Sequence, residues 1–424
     1  MKVLYDISVI VQGQHEVLAR TGVFRVVENV AAGLVSHPDC DLAFCVAEPV
    51  GGTLDFLRED QRFRSVPVVQ TRAARLWRNI GQPPDHSRES AQSKSSTIPS
   101  RVLRRIRNKS ARAVAPLIKP FTREVLARTD IYHSPFYPLR AEFRESRVKK
   151  FLTVYDLIAV LHPEFFAPAM NALCRKMLGT IDRDDYVICI SQATKEDLCS
   201  YRPDLDPAHV MVTHLAGSEL FYPCRDTARV HQVRTKYGIP ADAPYLLSLS
   251  TLEPRKNIEQ VVNSFAQLVR EQSLSDLYLV LAGPRGWDYG KILEAVQQFG
   301  IAAESIIFTG YVADQDLAPL YSSALAFIYL SLYEGFGLPP LEAMQCGTPV
   351  ITSNRAALPE VVGDAGMMFD PSDRDGIIQA VLDLYRNSTK RQELSAKSIA
   401  RARQFSWERC VRETIEAYKL ALAN

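Results

Sequence analysis

Residues 330 to 354, LSLYEGFGLPPLEAMQCGTPVITSN, set two glutamates around a glycine-containing turn. An apolar strand, LAFIYL, runs into that turn. A helix is expected to begin near Pro339, since proline is favoured in a first helical turn, and to stop at Gly347. Gly335 and Gly337 would let the backbone approach a ligand closely, leaving the N–H groups of Phe336, Gly337 and Leu338 facing whatever lies above the helix start. Open amides at a helix N-terminus suit a diphosphate. Glu334 and Glu342 stand eight positions apart. A wholly helical link would separate them by about 12 Å. The paired carboxylates of a retaining glycosidase lie only about 5 Å apart. These two are therefore expected to grip opposite ends of one extended ligand. Glu342 would take ribose hydroxyls, as the acid of dinucleotide sites does, and Glu334 would reach a sugar.

A second segment of strand, turn and helix, STLEPRKNIEQVVNSF at residues 250 to 265, carries two adjacent cations, Arg255 and Lys256. Asn257 is placed to cap the apolar-periodic helix that follows. Cations at the C-terminal end of a strand would face the same ligand as Glu334 and neutralise a departing diphosphate. Taken alone, an Arg-Lys pair reads as an exposed basic turn, and EGFG as a solvated glutamate. Their joint presence is what points to a site.

These turns need a scaffold. Short apolar runs alternate with amphipathic helical stretches along nearly the whole chain. The runs are KVLYDI, LAFCVA, IYHS, KKFLTVYD, YVICIS and HVMVTH, then YLLSLS, LYLVLAG, SIIFTG, LAFIYL and PVITS. Near-continuous apolar strands separated by helices imply parallel sheets covered on both faces. Two such series imply an α/β chain of two doubly wound, Rossmann-like domains with a cleft between them, a size that suits 424 residues. The polar segment FYPCRDTARVHQVRTKYGIPADAP reads as a linker with one helix. The expected units are residues 1–225, 226–405 and a last helix within 406–424, capped by Ser406.

Composition is that of an ordinary globular protein, 47% hydrophobic and 23% charged, with mean hydropathy −0.08. No apolar run reaches the length of a membrane span. MKVLYDISVIV reads as a first buried strand rather than a signal peptide, because no small-residue cleavage site follows. The eight cysteines form no CxxC pair, which predicts free thiols in a reducing cytoplasm. The eight histidines show no HExxH or other metal-ligand spacing, so no metal or other cofactor is expected. His133 reads as structural and His162 as a turn residue.

Net charge is +2, but thirteen Lys or Arg and only two acids lie between Arg72 and Arg123. Residues 79 to 100 have the composition of a loop. Residues 101–123, RVLRRIRNKSARAVAPLIKPFTR, intersperse eight cations with apolar side chains. They are expected to dock on an anionic membrane as a short interfacial helix. No aromatic platform interleaves with the cations, which argues against nucleic acid.

EPRKN followed by EGFGLPPLEAMQCGTPV resembles the retaining GT-B glycosyltransferases of family 4. YLLSLSTLEPRKN, LVLAGPRGW, IIFTGYVADQDLAPLYSSA and LPEVVGDAGMMFDP are similar to family segments in the family's order. FSWERCVRETIEAY resembles the segment that crosses back to the first domain. The resemblance implies Glu342 on ribose, Glu334 on the donor sugar at the reaction centre, and Lys256 with Arg255 on the diphosphate. It also implies Gly310, Tyr311 and Val312 against the base. In the first half, ARTGVFRVVENVAAGL resembles the family's glycine loop and first helix. That implies a diphosphate passing Gly22, with Arg25 at the cleft or on the helix surface. TVYDLIAVLHPEFF resembles the acceptor-side stretch where many members carry His-Asp. Tyr155 and Asp156 stand there instead, and a tyrosine cannot carry an imidazole's charge. Ser250 stands where some members have arginine, which leaves Arg255 as the second cation.

The resemblance further implies transfer of a hexose from a nucleotide-diphosphate sugar, with GDP-mannose or a related donor favoured. The acceptor would be a glycan or a polyprenyl-diphosphate-linked glycan of a surface polysaccharide, met in the cytoplasm or at the inner face of the plasma membrane. No first-domain carboxylate stands out as a nucleophile. Retention would then come from same-face displacement, the leaving diphosphate assisting deprotonation of the acceptor. A nucleotide-sugar epimerase, a phosphorylase and a non-catalytic nucleotide-sugar-binding subunit stay open as alternatives. A phosphorylase would need a lysine for pyridoxal phosphate, and no obvious one is present.

Overall fold

The structure, a computed structural model, describes residues 1–15, 22–47, 54–69, 121–287, 289–298 and 304–424. Residues 79–100 and 101–120, read above as a loop and as most of a membrane contact, lie outside this set.

The first sheet contains β1 (Lys2–Asp6), β2 (Asp41–Cys45), β3 (Val68–Val69), β4 (Ile131–Ser134), β5 (Lys149–Val154), β6 (Tyr186–Cys189) and β7 (Val210–Val212). Their order is β3-β2-β1-β4-β5-β6-β7. The second contains β8 (Tyr245–Leu249), β9 (Tyr278–Ala282), β10 (Ile306–Gly310), β11 (Ala326–Tyr329), β12 (Val350–Ser353) and β13 (Gly366–Phe369), ordered β10-β9-β8-β11-β12-β13. Every pairing is parallel. Each of the apolar runs named above contributes a strand. The two strands without such a run are β3, only two residues long, and β13, whose four residues are all half-buried. The first is too short to show a pattern, and the second has no fully buried residue.

Strand order reverses between β1 and β4 in the first sheet and between β8 and β11 in the second. In doubly wound sheets the loops leaving the C-terminal ends of such neighbours part and leave a crevice. The turn after β8 holds Arg255 and Lys256, and the turn after β11 holds Glu334.

The helix Trp407–Ala423, capped where Ser406 accepts from Arg409 N at 3.2 Å, lies on the first domain. Val411 packs so tightly on Gly33 that a Cβ there would come within 2.3 Å of it. Tyr418, fully buried, bonds His133 Nδ1 at 2.5 Å, and His133 Nε2 meets Thr153 Oγ1 at 2.8 Å. Burial pulls His133 down to about 3, so this imidazole is a neutral structural link. All eight cysteines are free. Among the described residues no helix is long and apolar enough to cross a membrane.

Candidate functional site

A cleft of about 790 Å³ lies between the domains, lined by Glu334, Lys256, Glu342, Asp156 and Gly22 among others. At its centre four groups converge on one oxygen, Glu334 Oε1. Lys256 Nζ and Ser331 Oγ each lie at 2.6 Å, the Tyr329 hydroxyl at 2.8 Å and Arg255 Nη1 at 3.0 Å. Among the described residues nothing donates to Oε2. Burial raises the Glu334 carboxyl, but Lys256 and then Arg255 outweigh it and hold the group down to about 2. Burial lowers the Lys256 ammonium, against the opposing pull of Glu334.

Arg255 and Lys256 sit on a single 3₁₀ turn, Pro254–Lys256. Arg255 also donates to the Tyr333 carbonyl at 2.8 Å and to Glu253 at 3.0 Å. Its guanidinium therefore braces the Glu334 turn while lining the cleft beside Lys256. Asn257 stands at the N-cap of Ile258–Gln272 but makes no side-chain cap bond. At φ 55° it serves as the left-handed residue that lets the chain leave the 3₁₀ turn, a conformation Asn tolerates. The cap expectation is corrected accordingly. Ser250 lines the cleft, with its buried Oγ unpartnered.

The helix after the glycine turn runs Leu338–Gln345, one residue earlier than expected, and Gly347 at φ 73° ends it. Pro339 and Pro340 have no N–H, so the donors at this helix start are Phe336, Gly337 and Leu338. No hydrogen bond among the described residues takes these amides. The glycines have reasons other than ligand approach. A Cβ on Gly335 would come within 2.3 Å of the Tyr155 carbonyl, and Gly337 holds φ 122° with Leu358 Cδ2 at 2.8 Å from its would-be Cβ. Gly335 thus admits the opposite domain. Because residues 334–337 are a turn, the continuous-helix spacing does not describe the two glutamates.

Glu342 accepts from the Tyr321 hydroxyl at 3.2 Å. Burial raises its carboxyl to about 7, opposed by Arg25 and by the Tyr321 bond. Tyr311, exposed, and Val312, buried, line this end of the cleft. Gly310 does not line it. It makes a positive-φ turn and accepts from Gly283 N at 2.9 Å, which sets the direction in which Tyr311 and Val312 leave β10. Gly22 begins the helix Gly22–Ser36 across the cleft from Leu338, 3.8 Å from where its Cβ would lie.

Tyr155 and Arg25 both line the cleft, but through different parts and at different ends. Tyr155 follows β5 and shares a strand face with Thr153, two residues earlier, turned toward Tyr5 and Cys410. Its hydroxyl is buried without a partner, and its carbonyl is the part that meets the Glu334 turn. Arg25 pairs with Asp314 of the second domain at 2.9 Å and acts electrostatically on Glu342. It belongs to the Tyr311 end of the cleft, not the Tyr155 end. Asp156 does face the centre. Its Oδ1 accepts from Ile158 N at 3.0 Å, burial raises its carboxyl, and Arg255, Glu334 and Lys256 are its charged neighbours. His162 caps the short helix Ile158–Leu161 and its ring lies 5.3 Å from Tyr333.

Residues 230–403 match the model of the family described as Glycosyl transferases group 1. The chain is 38% identical over 296 residues to the O-antigen chain mannosyltransferase B of Escherichia coli, a match covering 68% of this chain and 74% of that one. The chain belongs to this family. To the serotype-specific mannosyltransferase WbdA of Escherichia coli it is 29% identical over 294 residues, 69% of this chain and 36% of that protein. Sucrose-phosphate synthase from Thermosynechococcus elongatus superposes with a TM-score of 0.68 at 18% identity, over 100% and 99% of the two chains. WaaG, a glycosyltransferase involved in lipopolysaccharide biosynthesis, does so with 0.63 at 12%, over 100% of both. The two parallel sheets are the GT-B fold, and this group 1 family member is a glycosyltransferase enzyme.

The family match takes in both cations, both glutamates and the Tyr311 segment, while Gly22, Arg25, Tyr155 and Asp156 lie outside it. Sequence reasoning missed Tyr329 and Ser331, which hold Glu334, and Tyr321 and Asp314 at the other end. Tyr329 and Ser331 stand two residues apart at the end of β11, and that spacing was the available signal. Among the described residues, no group of three or more His, Cys, Asp or Glu is arranged to hold a metal ion.

Proposed function

We propose that this enzyme transfers mannose from GDP-mannose, with retention and without a metal, to a glycan or lipid-linked acceptor of a surface polysaccharide at the inner face of the plasma membrane. One observation carries the reading. Glu334 has one oxygen fixed by four donors and the other unclaimed beside the cleft, next to the unclaimed amides of residues 336 to 338. Oε2 would take hydroxyls of the donor sugar, and the amides the diphosphate. Glu342 would take the ribose. The names of the mannosyltransferase relatives support mannose and polysaccharide. Asp314, beside Tyr311 and Val312 in the cleft, supports guanine. Its carboxylate suits the adjacent N1–H and N2–H donors of that base, where uracil offers a single N–H.

In the transfer, the bond from sugar C1 to the β-phosphate oxygen breaks while the acceptor oxygen bonds C1 on the same face. The acceptor's proton passes to the departing diphosphate. Lys256 and the three amides meet the charge that develops there. Asp156, opposite, faces the acceptor. Closure of the cleft keeps water from competing.

A thermal-shift panel of nucleoside diphosphates tests the donor. Ligand at 100 times its dissociation constant adds about 2.7 kcal/mol of stability. Turnover with NMR of the product anomer tests the chemistry. Preference for a uridine donor, an inverted product or loss of activity in EDTA would each overturn the corresponding part. The membrane contact at residues 101–123 belongs to the same proposal. Wild type should sediment with phosphatidylglycerol vesicles at low salt, and changing Arg104, Arg105 and Arg107 to Glu should abolish this. Sedimentation indifferent to the charge reversal would refute it.

A further inference from the structure

The turn that carries Glu334 does not stand on the second domain alone. Its Gly335 carbonyl accepts from Ser191 Oγ at 2.8 Å. Thr194 Oγ1 lies 3.3 Å from the same oxygen and 3.2 Å from the Tyr155 carbonyl. Both hydroxyls belong to the first domain and are buried. Ser191 caps the helix Gln192–Tyr201, accepting from Thr194 N at 3.1 Å. A second contact crosses at the same helix end. Glu360, on the second-domain helix Leu358–Val362, accepts from Gln192 N at 2.8 Å and meets His214 Nε2 at 2.5 Å. A carboxylate is favoured at a helix N-terminus. Inside the second domain the two contacts are tied together, because Ala357 N donates to the Glu334 carbonyl at 3.4 Å.

We propose that Ser191, Thr194 and Glu360 are positioning residues for the transfer reaction. Together they seat the first domain on the Glu334 turn and so fix Asp156 opposite Glu334 and Lys256. The missing Cβ of Gly335 makes this a backbone-to-backbone seat, with the Tyr155 carbonyl against the turn and Asp156 next in sequence. Separating the domains would strip the Gly335 carbonyl of its two hydroxyl partners and Glu360 of its helix end. The amides of residues 336 to 338 and Glu342 belong to the second domain alone. Loss of the seat therefore falls on turnover and spares binding of the nucleoside diphosphate.

The inference rests on the proposed nucleotide-sugar chemistry, so the experiment reads both separately. In the full chain, Ser191→Ala, Thr194→Val, Thr194→Ser and Glu360→Gln are compared with wild type. The measurements are kcat and KM for GDP-mannose, Kd for GDP by calorimetry, and radius of gyration by small-angle scattering. Ser191→Ala, Thr194→Val and Glu360→Gln should lower kcat roughly 10- to 100-fold, the cost of loosening a placed group, with GDP affinity within about twofold. Their radius of gyration should rise, and Thr194→Ser, which keeps the hydroxyl, should behave as wild type. Lower melting temperature with kcat unchanged, or GDP affinity falling as far as kcat, would show a merely structural role and overturn the proposal. If wild type fails to use GDP-mannose, the donor reading fails. Scattering then decides the seat, and an unchanged radius in Ser191→Ala and Glu360→Gln sinks it.

Discussion

Glu334 and Glu342 belong to one strand, turn and helix, yet their surroundings move their carboxyls in opposite directions. Both are desolvated. Glu334 has two cations and two hydroxyls on it and is held down to about 2. Glu342 has one tyrosine hydroxyl and a more distant Arg25, and rises to about 7. The contrast extends along the cleft. Around Glu334 the partners are nearly buried, with Lys256 and Arg255 side chains 11% and 12% exposed. At the other end Tyr311 is 73% exposed, and the Arg25–Asp314 pair is open to solvent. One end is held by a dense set of buried hydrogen bonds and ion pairs within the protein itself. The other holds its charges in a single solvent-exposed pair.

The strongest way to break this comparison is Glu334→Gln. It leaves Lys256 and Arg255 without their central charge and should lower kcat by about 10²- to 10³-fold, with nucleotide affinity nearly intact. Steady-state kinetics beside GDP calorimetry checks it, and a wild-type rate would refute the assignment. Lys256→Ala should follow, at about 100-fold in kcat. It should exceed Arg255→Ala, because the arginine is tied to Tyr333 and Glu253. Nucleoside binding should be the same in both variants. Equal losses would mean that both cations serve the leaving group.

Glu342→Ala should weaken the donor by about 1.5 to 3 kcal/mol, with deoxyribose analogues losing as much on wild type and little on the variant. Its raised carboxyl also sets a pH test. Below about 4.5 the group is protonated in folded and unfolded chains alike and adds nothing. As pH rises towards 7 the unfolded chain ionises first and wild type loses stability, and above 7 the loss is complete. Glu342→Gln should therefore exceed wild type by about 3 kcal/mol at most at pH 8, and match it at pH 4, in chemical denaturation. The smallest effect belongs to Arg25→Ala. Loss of an exposed pair should cost about 0.5 kcal/mol or less, read by denaturation at pH 5. Removing that charge should also move the Glu342 window upward, since Arg25 pulls it down.

The second-domain half of the site was legible because it is local. Glu334, Glu342, Arg255 and Lys256 each lie in a short segment at a strand end, where neighbours in sequence are neighbours in space. The first-domain wall was not. Which part of Tyr155 faces the cleft depends on the pleat of β5 and on a helix more than two hundred residues later that brings Cys410 near its side chain. Arg25 and Asp314 are 289 positions apart, so no local pattern announces their pairing. The glycines show the same limit. Their number in the turn was visible, but the reason for Gly335 is a carbonyl supplied by the other domain. β3 escaped because two residues carry no pattern, and β13 because none of its four residues is fully buried.

On the ribosome this chain begins its first domain early and completes it last. Val3, Tyr5 and Ile131 share one buried cluster with Val411, Ile415 and Tyr418. That core therefore keeps an open face until the Trp407–Ala423 helix emerges. The strands of the second sheet are all made by Phe369. At ordinary elongation speeds the wait after β7 is on the order of ten seconds, long beside the folding time of most single domains. The order of synthesis and the order of completion are thus reversed. During that interval the nascent first domain exposes the apolar groove meant for its own final helix, and a chaperone has the most to protect there.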